Sequence, residues 1–179
     1  LPAGSLREPR SALGRADVVV ITRADHAPAV EAIVRRFTSA PIFYAHTEIE
    51  SVARVPEMTG ELSGADRATM KFLAFCGIGN PAAFFYDLRR WGFSVGVERT
   101  FRDHHRYTAR DLARLDRAAA AAGAEAMICT EKDVFNLHGA IETRLPLYAC
   151  RIRLVLPESE AFWSAVQVAV QRNKAAAAR

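Results

Sequence analysis

The sequence predicts an α/β protein whose core is a parallel sheet with helices on both faces. Three observations predict it. From residue 67 onward, short apolar runs alternate with stretches of helical periodicity, the order β-α-β-α-β-α-β-α. Several of the runs are continuously apolar, as in Lys71-Phe72-Leu73-Ala74-Phe75-Cys76, the pattern of a strand buried on both faces. Three polar motifs each lie just beyond such a run, and ligands of open α/β sheets bind outside the carboxyl ends of the strands. They are Gly77-Ile78-Gly79-Asn80-Pro81, Asp103-His104-His105-Arg106-Tyr107 and Thr130-Glu131-Lys132-Asp133.

Residues 1 to 14, rich in Pro, Gly and charge, read as loop. Val18 to Ile21 reads as a strand buried on both faces, and Pro28 suits the first turn of the helix that follows. Val30, Ile33, Val34 and Phe37 share one helical face, which Pro41 ends. Pro41 to Val55 is extended. Pro56 to Asp66 reads as a linker or hairpin loop at a domain boundary.

Beyond the strand at Lys71 to Cys76, Asn80 caps a helix with Pro81 in its first turn. Its stripe is Phe84, Phe85, Leu88 and Trp91, and Gly92 ends it. Phe93 to Phe101 is a strand. Thr108 and Asp111 form a capping box for a helix with Leu112, Leu115 and Ala119 inward, ended by Gly123. Ala126 to Cys129 is a strand, Thr130 to Leu137 a short helix with Gly139 beyond it, and Leu147 to Leu156 a last strand. Pro157 opens a final helix with Phe162, Trp163, Val166 and Val170 inward, and an Ala-rich tail at 174–179 is expected to fray.

The bulk numbers fit a globular chain. It has 179 residues, 50% of them hydrophobic and 25% charged, and a net charge of +4. Arg89, Arg90, Arg99, Arg102 and Arg106 cluster, which suits phosphates, anionic head groups or nucleic acid, or simply a solvated face. Cys76, Cys129 and Cys150 lie in apolar runs without a C-x-x-C pair and read as buried free thiols. No run is long enough for a membrane span.

Each motif has two readings. Gly77-Ile78-Gly79-Asn80-Pro81 lets the backbone approach a ligand at a helix N-terminus, or is a plain strand-to-helix turn. It is not G-x-G-x-x-G, because residue 82 is Ala. Asp103-His104-His105 offers a general base with a carboxylate to orient it, or metal ligands, or an exposed loop. Thr130 and Asp133 form a capping box, while Lys132 offers a phosphate or base contact.

Taken in order, Leu1-Pro2-Ala3-Gly4-Ser5-Leu6-Arg7-Glu8-Pro9, Arg15-Ala16-Asp17 with Thr22-Arg23, Phe75 to Pro81, Phe101-x-Asp103-His104-His105-x-Tyr107 and Thr130 to Asp133 resemble the tetraacyldisaccharide 4'-kinase family over nearly the whole chain. The resemblance implies a kinase of lipid A biosynthesis. It would transfer the γ-phosphate of ATP, with Mg²⁺, to the 4'-hydroxyl of a tetraacylated glucosamine disaccharide at the cytoplasmic face of the inner membrane. No nucleic-acid partner is expected. The family has two α/β/α domains joined by a two-stranded hinge. On that pattern, residues 1–40 are the end of a P-loop kinase domain, 41–66 the hinge, and 67–173 a Rossmann-like C-terminal domain.

The chain departs from the family in holding no G-x-x-x-x-G-K-[ST] loop and no Asp-Asp-Gly stretch. Together with Leu at position 1, this leads to the expectation of a C-terminal portion that is inactive alone, with the metal ligands and the membrane anchor elsewhere. By resemblance His104 is the catalytic residue, the partner of an Asp outside this chain. Arg7, Glu8, Gly77, Gly79, Asn80, Asp103, His105 and Lys132 are assigned to the nucleotide and substrate cleft, and no metal ligand is expected among them. Two other readings are a non-catalytic nucleotide-binding α/β domain and a metal phosphoesterase of the Asp-His-His type. Tight, Mg²⁺-independent nucleotide binding would favour the former, and stoichiometric Mn²⁺ binding lost in Asp103→Ala the latter.

Overall fold

The computed structural model describes residues 8 to 23, 29 to 137 and 142 to 177. The chain packs as two units, one of Leu1–Glu48 with Arg153–Arg179, the other of Ile49–Ile152. It passes between them twice, inside β2 (Ile42–Arg54) and inside β7 (Leu147–Val155).

The second unit carries the predicted sheet. Its strands β4 (Lys71–Cys76), β5 (Ser94–Thr100), β6 (Ala126–Thr130) and β7 run parallel in the order β7-β6-β4-β5. Alternation along β4 sends its side chains to opposite faces. Leu73 and Phe75 join Leu112, Leu115, Ala119, Met127 and Leu147 on one side. Phe72, Ala74 and Cys76 join Phe84, Phe85, Leu88, Phe93 and Ile128 on the other. Two cores on two faces explain why β4 is apolar without interruption, and Phe72 to Cys76 are fully buried.

The helices follow from their caps and stripes. In α3 (Pro81–Arg90), Asn80 accepts a hydrogen bond from Ala83 N–H at 3.2 Å, and Phe84, Phe85 and Leu88 are buried. In α4 (Ala109–Ala121), both halves of the Thr108–Asp111 capping box are made, and Leu112, Leu115 and Ala119 are buried. The short α5 (Glu131–Val134) has the same box between Thr130 and Asp133. All three cysteines are buried free thiols. Gly139 lies outside the described residues.

The stretch that reads as a linker or hairpin loop holds a hairpin and a short helix. β3 (Thr59–Glu61) pairs antiparallel with the end of β2, and α2 (Gly64–Thr69) follows, capped by Ser63. No residue of α2 is buried, so it left no apolar stripe in the sequence.

The first unit departs further from expectation. β1 (Val19–Thr22) pairs parallel with β2, Val19 opposite Ile42. Only Ile21 of the strand is buried and Val20 is 39% exposed, so β1 is not covered on both faces as its sequence predicts. The following helix, α1, spans only Val30–Val34, and Pro28 lies outside the described residues.

α6 (Ser159–Ala177) packs within this unit through Phe162, edge-on to Phe43 at 5.5 Å, and through Asn173, which donates to Asp17 at 3.0 Å. Packing groups α6 with the unit that holds the first 48 residues. Of the four residues expected inward, Trp163 is 60% exposed and Val170 46%, while Phe162 and Val166 are half-buried. The helix runs to Ala177, as suits the strongest helix former.

Candidate active site

Three loops leave the carboxyl ends of β4, β5 and β6 and meet. The first is Gly77-Ile78-Gly79, the second Phe101 to Tyr107, and the third opens α5. Together they line a cavity of about 390 Å³ whose walls are Gly77, Ile78, Gly79, Asp103, His104, Lys132, Phe135 and Asn136. That volume is within the range of small-ligand pockets.

Backbone contacts set the shape. Gly77 is buried, and its carbonyl accepts from His104 N–H at 3.0 Å. A Cβ at Gly77 would come within 2.9 Å of the Arg102 carbonyl oxygen, so the close approach of these loops needs glycine there. His104 has φ +56°, a left-handed conformation that costs a non-glycine residue energy. Its side chain is exposed at the cavity, as are those of Asp103 and Lys132.

Asp133 is the hub beneath. It is only 1% exposed. One carboxylate oxygen, Oδ1, accepts from Gly77 N–H and from the Tyr107 hydroxyl, each at 2.8 Å. The other, Oδ2, accepts from Thr130 N–H at 3.2 Å and its hydroxyl at 2.5 Å. Burial, with the Asp133 charge beside it, pushes the Tyr107 hydroxyl far above its ordinary value, so it remains a donor. The same two causes push the Cys76 thiol up to about 12.

The adjacent histidines part. His105 does not line the cavity. Its ring stacks on Phe101 at 4.7 Å, meets Tyr107 edge-on at 4.9 Å, and bonds Asp111 through Nε2 at 3.2 Å. Burial raises the Asp111 carboxyl, but hydrogen bonds from Thr108 and His105 outweigh it and hold the group below its usual range. Asp103 and His105 therefore do not converge as a metal pair. Among the described residues no group of three or more His, Cys, Asp or Glu could hold a metal ion.

Of the residues assigned to the cleft, Gly77, Gly79, Asp103, His104 and Lys132 meet at this cavity. Asn80 instead caps α3. Glu8 is in the first unit, paired with Arg15 beside a larger apolar cavity of about 620 Å³ that includes Val30, Ile33 and Val34. That cavity is bigger but mainly apolar, and Glu8 and Arg15 at its wall pair with each other, so the strand-end cavity, where polar groups from three loops meet, is the better candidate. Arg7 lies outside the described residues. Sequence reasoning missed Ile78, Phe135 and Asn136 as wall residues and Asp133 as the hub. Phe135, 75% exposed, could have been found as an apolar residue off the helix stripe.

A family model described as tetraacyldisaccharide-1-P 4'-kinase matches residues 1–171. The chain belongs to the tetraacyldisaccharide-1-P 4'-kinase family. Tetraacyldisaccharide 4'-kinases of Koribacter versatilis and Chlorobium luteolum are 33% and 36% identical to it, over 97% and 78% of this chain. Those alignments cover 49% and 40% of the two relatives, so the chain spans about half the length of the curated relatives it matches. Among solved structures, the LpxK of Aquifex aeolicus, crystallised in complex with ATP, is similar at a TM-score of 0.58 and 24% identity. The match covers 93% of this chain and 47% of that one, and shows a shared fold. In this family member the strand-end cavity belongs to the unit of Ile49–Ile152. Among its described residues no helix is long and apolar enough to cross a membrane.

Proposed function

We propose that the chain is the C-terminal portion of a tetraacyldisaccharide 4'-kinase acting at the cytoplasmic face of the inner membrane, and that the strand-end cavity is one wall of its phosphoryl-transfer site. The observation that carries the reading is the meeting of Gly77, Gly79, Asp103, His104 and Lys132, from three separate strand ends, at one cavity. Family membership supplies the reaction class.

In this reading the 4'-oxygen of a tetraacylated glucosamine disaccharide attacks the γ-phosphorus of ATP. The bond from that phosphorus to the bridging oxygen breaks, and ADP leaves. The hydroxyl proton passes to His104, aided by a carboxylate from outside this chain. Lys132 places a cation where phosphate charge gathers, on the cavity wall that it shares with the Gly77–Gly79 turn. A positioned general base contributes about 10² to 10⁴ in rate.

The family's Mg²⁺ would neutralise phosphate charge; among the described residues no group of three or more His, Cys, Asp or Glu could hold it. The ligands for the metal, and the binding of the lipid, fall to parts of the kinase beyond this chain.

The test is transfer of labelled γ-phosphate from ATP to tetraacyldisaccharide 1-phosphate. Protein made from the complete reading frame should transfer it, and residues 1–179 alone should not. Transfer by the chain alone, or none by the complete product, would overturn the reading.

A further inference from the structure

We infer that Asp133 is a positioning residue for His104, acting through Gly77; the inference rests on the reading of His104 as the group that takes the proton. An N3 capping residue needs one carboxylate oxygen for its cap. In Asp133 that oxygen is Oδ2, which holds Thr130 N–H and hydroxyl. The cap leaves Oδ1 unused, yet Oδ1 is buried and takes two further donors, Gly77 N–H and the Tyr107 hydroxyl, both at 2.8 Å. A capping role alone does not call for them.

The two extra bonds reach the cavity. Gly77 N–H is held by Asp133, and Gly77 C=O by His104 N–H at 3.0 Å. Both polar groups of Gly77 are thus pinned, and its absent side chain lets the Arg102 carbonyl come close. The result is a short relay from Asp133 Oδ1 through the Gly77 backbone to the backbone of His104. Residue 104 has φ +56°, and such a conformation persists only where its surroundings over-determine it. Tyr107, two residues beyond the histidine pair, fixes the far end of the same loop to the same oxygen.

Two measurements test this in Asp133→Asn, which keeps the volume but turns one acceptor into a donor. In amide hydrogen exchange on the full chain, the amides of Gly77 and His104 should exchange roughly tenfold faster or more, while those inside β4 and β6 keep their rates. In the complete kinase, kcat should fall at least about tenfold with the KM for ATP within about twofold, and the loss should vanish in a His104→Ala background. Unchanged exchange at His104 would overturn the inference. So would a uniform rise across β4 and β6, or a loss that adds to that of His104→Ala. Should Asp133→Asn fail to fold, Tyr107→Phe removes one donor to Oδ1 and should give the same pattern at smaller amplitude; unchanged exchange at His104 there overturns the inference too. If His104→Ala itself transfers phosphate at the unaltered rate, the reading of His104 falls, and exchange still decides whether Asp133 places residue 104.

Discussion

His105 stacks on Phe101 with ring centroids 4.7 Å apart and planes 26° apart, and this contact separates it from its neighbour His104. Two adjacent histidines thus do different work. His105 belongs to an aromatic group with Phe75, Phe101 and Tyr107, whereas His104 faces the cavity from a left-handed backbone.

That division predicts opposite outcomes for the pair. His105→Ala should lower folding stability by about 1 kcal/mol through lost ring contacts, with only a modest fall in phosphoryl transfer. Denaturant unfolding of the chain and kinetics of the complete kinase check it. A large loss of kcat with unchanged stability would contradict the assignment.

Gly77→Ala tests the close approach of the loops. The new methyl would lie 2.9 Å from the Arg102 carbonyl oxygen, 3.1 Å from His105 Cβ and 3.3 Å from the Tyr107 hydroxyl. The loop holding His104 must move, at a cost of about 1 to 3 kcal/mol. Thermal melting should show the loss. Gly79→Ala meets only the Asp103 carboxylate, at 3.6 Å, and should be far milder.

The Thr108–Asp111 box predicts a dependence on acid. The folded-state carboxyl of Asp111 is held below its unfolded value, so its contribution is complete above the ordinary carboxylate range and is lost as pH falls through the folded value. Asp111→Ala should cost about 1 kcal/mol at neutral pH, and less as the solution becomes strongly acidic. Urea midpoints at neutral and acid pH for both proteins check the sign. A difference that grows on acidification would refute it.

The thiols should be inert in the folded chain. Burial pushes Cys150 up to about 12, burial and the Asp133 charge push Cys76 to the same value, and the fully buried Cys129 is raised too. The thiolate is the reactive form, so a thiol reagent at pH 8 should label none of them until the protein unfolds. Rapid labelling of the native chain would show that a core strand opens.

Much of this was legible where the deciding forces are local. The apolar run of β4, the Asn80–Pro81 start of α3 and the Thr108–Asp111 and Thr130–Asp133 boxes depend on neighbours within a few residues. The strand-end rule brought Gly77, Asp103, His104 and Lys132 forward without coordinates. Contacts distant in sequence did not show. The bond from Gly77 to Asp133 spans 56 positions, so Asp133 read only as a cap. The same limit hid the aromatic setting of His105. Of the residues expected inward on the last helix, Phe162 does meet Phe43, but Trp163 and Val170 are exposed, because the face of a helix that is buried depends on what packs against it.

The most direct measurement is phosphoryl transfer by the complete kinase carrying His104→Ala, with folding checked by thermal melting. The account predicts a kcat at least about 10²-fold lower, a nearly unchanged KM for ATP and an unchanged melting temperature. A kcat equal to that of the unaltered enzyme would contradict it.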